Sequence, residues 1–192
     1  MIKPEDDWSR PIDWDLAKEL AQPFPERYVK RAPQGKHGSY INHADIAQRL
    51  LAVVGPYSFE VKDVIRGYAP EIEGQNKVFE ARHDAVLGVT ASLTIIDKWG
   101  TRYTITEVGT EDNPAMSHDA ENLKSATSDA FKRCAMRLGL GLQLWAKEGY
   151  HLPVQLAQRE AGETEVTREP FADDAEPVAG AGEGDETPGE AV

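Results

Sequence analysis

The feature that most constrains the fold is a long run of alternating residues, "VFEARHDAVLGVTASLTIID", which begins at Val78. "DKWG" follows at once, and Gly100 can take the positive φ of a tight turn. "TRYTITEVG" then returns as a strand rich in β-forming residues. The run therefore predicts an antiparallel hairpin with one buried face. The side chains of that face are Leu87, Val89, Ala91, Leu93 and Ile95.

The flanking segments predict one more strand and three helices. The strand "YSFEVKDV" precedes the hairpin. Asp13 can cap the helix "WDLAKELAQ", and Asn42 can cap "HADIAQRLLAVV", which ends at Gly55-Pro56. Because the strands follow one another through short connections, we expect an α+β domain with an antiparallel sheet. The last predicted helix, about residues 119–138, has an apolar arc of Leu123, Ala126, Ala130, Phe131, Cys134, Ala135 and Leu138.

Charge divides the chain of 192 residues into two parts. Residues 159–192 hold 11 acidic and two basic residues, whereas the remainder holds 22 acidic and 19 basic residues. The acidic segment is rich in Gly, Ala and Pro and has one aromatic residue, Phe171. It therefore cannot bury enough surface to offset the entropy of ordering. We expect a folded domain over residues 1–157 and a disordered acidic tail over residues 158–192.

Two basic groups interrupt this acidic chain. The polar arc of the last helix carries Lys132, Arg133 and Arg137. These cations could form a ridge that contacts phosphates, or simply a solvated face near the helix C-terminus. Cations interleaved with aromatic rings suit single-stranded nucleic acid, although a polar loop with one buried tyrosine has the same pattern. Such interleaving occurs in the predicted loop "PFPERYVKRAPQGKHGSY", which contains Arg27, Tyr28, Lys30, Arg31, Lys36, His37 and Tyr40.

The signals of an enzyme are weak. The chain has no P-loop motif for a nucleotide and no Cys-x-x-Cys or His-Glu-x-x-His motif for zinc, so we expect no cofactor. A metal-dependent nuclease would have to use His83, Asp84 and His118, but strand neighbours point to opposite faces. Cys134 is the only cysteine, which favours a reducing compartment. Because we find neither a long apolar span nor a secretory signal, we expect a cytoplasmic protein with no membrane contact.

Three stretches resemble a known family: "PERYVKR", "GSYINHADIAQRL" and "DAENLKSATSDAFKRCAMRLGLGL". They are similar to the N-terminal domain of the Rad52 family of single-strand annealing proteins, in its bacterial and phage branch. The resemblance covers residues 23–144. It implies an antiparallel sheet crossed by a long helix, and subunits assembled into a ring. It also implies that a basic groove around the ring holds single-stranded DNA by its backbone, without ATP or metal.

The resemblance further implies which residues bind DNA. Lys132 and Arg133 match the Lys-Arg pair through which the family contacts DNA. Met136 occupies the place of a third family arginine, so whether Arg137 reaches the groove stays open. Lys36 is only a loose match in a loop with fewer glycines. The full set that the resemblance implies is Arg31, Lys36, Tyr40, Lys124, Lys132, Arg133 and Arg137.

These observations lead to one functional hypothesis and two alternatives. We expect a homo-oligomeric protein that binds and anneals single-stranded DNA in homologous recombination and DNA repair. The first alternative is a protein that protects single-stranded ends without annealing them, and the second is the nuclease named above. The acidic tail would keep the protein soluble, compete with DNA for the groove, or dock a replication or recombination protein.

Overall fold

The structure is a computed structural model that describes residues 13–32, 38–74, 76–146 and 149–161. Single 3₁₀ turns at Glu26–Tyr28 and Leu142–Leu144 accompany the regular elements. None of the helices in these ranges is long and apolar enough to cross a membrane. The helices are α1 (Trp14–Ala21), α2 (His43–Val54), α3 (Asp119–Arg137) and α4 (Leu152–Glu160). The strands are β1 (Val29–Arg31), β2 (Ser39–Ile41), β3 (Ser58–Ala69), β4 (Ile72–Glu73), β5 (Val78–Phe79), β6 (Arg82–Ile96) and β7 (Arg102–Thr110).

The centre of the domain is a three-stranded antiparallel sheet in the order β3-β6-β7, as the sequence predicts. β6 lies in the middle, so that Leu93 stands opposite both Phe59 on β3 and Ile105 on β7. The predicted apolar face of β6 is buried from Val89 to Ile95. The alternation in the sequence is therefore the alternation of a sheet that is covered on one side.

The turn between β6 and β7 forms as expected, with Gly100 at a φ of +81°. Asp97 holds the turn together, because its Oδ1 accepts hydrogen bonds from the backbone N–H groups of Trp99 (2.9 Å) and Thr101 (2.7 Å). Although burial opposes its ionisation, these hydrogen bonds lower the pKa of Asp97. The turn is thus built by its own side chains.

Helix α3 covers the buried face of β6 and β7. Phe131 and Cys134 enter one apolar cluster with Leu50 of α2 and with Leu93 and Ile95 of β6. Cys134 is fully buried, and burial raises the pKa of its thiol, so it packs as a small protonated residue. The core therefore lies between the sheet and helices α2 and α3.

The N-terminal half of α3 departs from the predicted pattern. Leu123, expected in the core, has 36% of its surface exposed, whereas the neighbouring Asn122 is fully buried. The Asn122 Nδ2 donates to the carbonyl oxygens of Pro114 (2.8 Å) and Val86 (3.3 Å). The prediction for Leu123 is wrong because the start of α3 docks on backbone carbonyls, and only a hydrogen-bond donor satisfies them.

The helix caps agree only in part with the sequence. Asp13 accepts a hydrogen bond from the N–H of Leu16 (3.1 Å) and caps α1 as predicted. Asn42 occupies the N-cap position of α2, but its side chain makes no capping hydrogen bond within the described residues. Gly55 ends α2 with a φ of +73°, a value that favours glycine.

The short strand β4 and the break between β5 and β6 were not predicted. Two larger units were also missed. The segment from residue 23 to residue 40, interpreted as a loop, contains the hairpin of β1 and β2, in which Lys30 lies opposite Tyr40. The other is α4, which packs on α1 and forms an ion pair between Glu160 and Lys18 (2.6 Å). α4 extends three residues beyond the expected domain boundary at residue 157. The rest of the expected acidic tail, residues 162–192, lies outside the described residues.

Candidate nucleic-acid interface

A shallow cleft brings residues of strand β2 together with two cations of α3. Tyr40 of β2 lines one part of it, and Lys132, Arg133 and Met136 of α3 line another. Trp145, just beyond the 3₁₀ turn that follows α3, completes the rim. The cleft volume of about 80 Å³ is far below the roughly 300–1,000 Å³ of pockets that enclose a small molecule. A ligand of this site would therefore lie across the surface.

Helical geometry presents the cations of α3 to this cleft. Phe131, Cys134 and Ala135 are buried against the sheet, so Lys132 and Arg133 must point away from it. Met136 lies one turn after Lys132 and lines the cleft between the cations and Leu140. The position of Met136 among the cations is thereby explained, because it is part of the cleft surface.

Arg133 is held by an acidic neighbour within the cleft. Its Nε donates to Oδ2 of Asp129, one turn earlier, at 2.8 Å. The same oxygen accepts a hydrogen bond from the backbone N–H of Thr110 (3.2 Å), which fixes Asp129 to the end of β7. Within the described residues the two terminal nitrogens of the guanidinium have no hydrogen-bond partner. They are the donors that a phosphate can use.

Lys132 makes no ion pair with any residue that the structure describes. Its neighbour is His43, whose ring stacks on Phe131 with centroids 4.3 Å apart and whose Nδ1 lies 3.3 Å from Oγ of Ser128. Burial and the charge of Lys132 lower the pKa of His43 below its usual value, so the imidazole is neutral near pH 7. Lys132 is thus a cation without a counter-charge, next to a neutral ring.

None of the other predicted DNA-binding residues that the structure describes lines the cleft. Arg31 is paired across the β1–β2 hairpin with Ser39, which lines the cleft. Lys124 is exposed on α3, two turns before Lys132. Arg137 does not line the cleft and forms an ion pair with Glu107 of β7 (2.5 Å). Lys36 lies outside the described residues.

The acids near the start of α3 serve the fold. Asp119 binds Arg82 of β6 and Arg66 of β3, the latter at 2.9 Å. The hydrogen bond from Arg82 lowers the pKa of Asp119, which stays ionised at neutral pH. Asp84 also pairs with Arg66 (3.3 Å). Asp84, the carboxylate named for the nuclease alternative, and Asp119 are thus each paired with arginine.

The described residues outside this region show no metal site either. Across the described ranges, no group of three or more His, Cys, Asp or Glu side chains is placed to hold a metal ion. The ring of His83, proposed for the nuclease alternative, instead lies 5.4 Å from the ring of Tyr68.

Sequence reasoning missed three residues of the site. His43 carried no signal, because its partners Ser128 and Phe131 are distant in the chain. Asp129 carried one, since an acid four residues before an arginine on a helix predicts an ion pair. Trp145 also carried one, because it is a large aromatic residue that follows the basic helix by only eight residues. With 63% of its surface exposed, it is the most exposed of the large hydrophobic side chains in the described residues.

Comparison with known proteins gives a family match. No individual curated protein matches the chain significantly. A family model described as the Rad52/22 family double-strand break repair protein matches residues 14–162. The match runs from α1 to just beyond α4 and so includes the sheet, the long helix and the whole cleft. The chain therefore belongs to the Rad52/22 family, whose members bind DNA in recombination and repair.

Proposed function

We propose that the protein anneals complementary single strands of DNA without ATP or metal, holding each strand by its backbone in the basic cleft. The observation that carries this proposal is the convergence of Tyr40 of β2 with Lys132 and Arg133 of α3 on one surface. Cations bind the phosphates of any sequence, and aromatic rings accept any base. Base pairing then supplies the driving force of annealing, so the protein needs only to position the strand.

We further propose that the subunits form a ring, in which the cleft of each subunit continues into that of the next. Family membership supports this proposal, as do the two outer strands of the sheet, β3 and β7, which each pair with β6 alone in the described residues. Linking many weak sites along one strand would raise the overall affinity without any new contact. Arg31, Lys36 and Lys124 would then extend the basic path beyond the cleft, and Arg137 would serve the fold through Glu107.

The remaining parts of the proposal rest on the sequence. Residues 1–157, with the end of α4, form the annealing domain, and the acidic residues beyond it form a tail that acts on the groove or docks a recombination partner. The similarity to the bacterial and phage branch supports action on DNA in a bacterial cytoplasm.

The decisive variant is Lys132→Ala with Arg133→Ala. Binding of a fluorescent single strand should weaken, and annealing of complementary strands, followed by fluorescence transfer without ATP, should slow in parallel. The logarithm of the binding constant falls with that of salt by about 0.7 per neutralised phosphate. Loss of two phosphate contacts should therefore make this slope less negative by up to about 1.4. The melting temperature should change little, since both side chains are partly exposed.

A matched control removes the same charges elsewhere. Lys77→Ala with Arg159→Ala deletes one lysine and one arginine at exposed positions that do not line the cleft. This variant should bind and anneal like the parent. Equal loss in both variants would mean that only overall charge matters, and the cleft assignment would be wrong. A parent protein that binds tightly yet slows pairing would instead be the end-protecting binder.

A further inference from the structure

Trp145 combines a fixed backbone with an exposed ring. Its N–H donates to the carbonyl of Leu142 (3.0 Å), which closes the 3₁₀ turn after α3. Leu140, before that turn, is buried in the main core. Gly141 has a φ of +73°, and a Cβ there would lie 3.3 Å from Cδ1 of Ile41. The chain is therefore anchored against β2, while the indole remains largely in solvent.

The surroundings of the indole indicate its ligand. Tyr40, with 36% of its surface exposed, lines the same cleft. Lys132 and Arg133 line this cleft too and leave cationic donors available. An apolar protein partner would avoid burying these cations, because their desolvation would be costly. A molecule with flat aromatic faces and regularly spaced negative charges matches both features, and single-stranded nucleic acid is such a molecule.

We propose that Trp145 is a stacking platform for one base of the bound single strand, whose adjoining phosphates contact Lys132 and Arg133. This inference rests on the proposed function and adds to it a specific base-binding position in each subunit. The contact is made to the face of the base, so it accepts every base. The base on Trp145 is held by the protein, while its neighbours remain free to pair.

The test pairs protein variants with altered strands, using the full chain. Trp145→Ala removes the ring, Trp145→Phe keeps a smaller one, and Trp99→Ala is the matched control. Trp99 lies in the β6–β7 turn, is also largely exposed, and does not line the cleft. The strands are an oligothymidylate and an abasic strand with the same number of phosphates. Fluorescence anisotropy gives the affinities, and light scattering gives the oligomeric state.

On oligothymidylate, Trp145→Ala should lose about 5- to 100-fold in affinity, the range expected for one stacked base. Trp145→Phe should recover much of that loss, and Trp99→Ala should match the parent. On the abasic strand, Trp145→Ala and the parent should bind equally, because no base remains to stack. The slope of affinity against salt should be the same for both proteins, since no phosphate contact is removed.

Several results would overturn the inference. An equal loss on both strands would show that Trp145 supports the fold or the backbone contacts. A change in oligomeric state that accompanies the loss would show that the indole contacts another copy of the chain. Unchanged affinity on oligothymidylate would show that it contacts nothing in the complex. A different result would overturn the proposed function itself: a parent protein that binds neither strand.

Discussion

At the scale of single residues, the partners of a cation decide what it can do. Arg137 and Arg133 lie one turn apart on α3, yet one is neutralised by Glu107 and the other is held through its Nε alone. Lys132, on the same turn, has no ion pair within the described residues. Three cations that look equivalent in the sequence therefore have three different capacities to bind a phosphate.

This difference predicts an unusual effect of Asp129→Ala. Removing a negative charge from a DNA-binding cleft should raise affinity if only net charge matters. If Asp129 instead orients the Arg133 guanidinium toward the strand, affinity should fall by roughly 5-fold, equivalent to about 1 kcal/mol. Binding of a single strand at several salt concentrations measures the sign.

The controls for Asp129 separate orientation from charge. Asp129→Asn keeps an oxygen that can accept the Nε hydrogen bond, and it should retain most of the affinity. Glu121→Ala removes an exposed acid from the first turn of the same helix and should leave binding unchanged or slightly stronger. Tighter binding by Asp129→Ala would contradict the orienting role.

At the scale of elements, the contact between α3 and the sheet depends on small residues. Gly109 of β7 lies directly beneath Ala126 and Ala130, and a Cβ at this position would overlap the Ala126 carbonyl and the Ala130 N–H. Both alanines are fully buried. The helix can therefore lie close enough to bury Phe131 and Cys134 only because β7 has no side chain at this point.

Gly109→Ala should consequently displace α3 and lower the free energy of unfolding by about 1–3 kcal/mol, the usual cost of overpacking. Denaturant unfolding followed by circular dichroism measures the change. Gly100→Ala is a useful comparison, because its Cβ would meet nothing and its cost would come only from the positive φ. A Gly109→Ala protein as stable as the parent would mean that the helix does not depend on this contact.

At the scale of the whole molecule, charge is segregated. The acidic excess lies mostly beyond Gln158, whereas Lys132 and Arg133 of α3 line one cleft together with Tyr40 of the β1–β2 hairpin. A polyanionic segment joined to the domain is present at a high effective concentration near that cleft. We therefore propose that the tail competes with DNA for the same cations.

Deleting residues 162–192 should raise the affinity for single-stranded DNA, by several-fold at low salt and less at high salt, because screening weakens both interactions. The truncation keeps α4 and its Lys18–Glu160 ion pair. A full-length variant with the acids of the tail changed to Gln and Asn is the matched control, and it should bind as tightly as the truncated protein. Unchanged affinity in low salt would leave the tail a role in solubility or partner docking only.

The sequence alone specified the main elements of this protein. The alternation of β6, the Asp97–Gly100 turn and the arc of α3 from Ala126 onward are local patterns that match the structure, because a strand or helix with one buried face imposes its own period on the chain. The family resemblance also came from local motifs, and the Rad52/22 match confirms it. The spacing of apolar residues was enough to assign Leu93 and Phe131 to the core, and both are buried there.

Only the tertiary structure decided which residues share a surface. Asn122 replaces Leu123 in the core because carbonyls of two other segments need a donor there. Tyr40, Arg133 and Trp145 meet at one cleft because β2 and the turn after α3 pack against the same helix. Such contacts join residues far apart in the chain, and no local period encodes them. The spacing of buried residues is set within a single helix or strand, whereas a binding site depends on how several elements pack together.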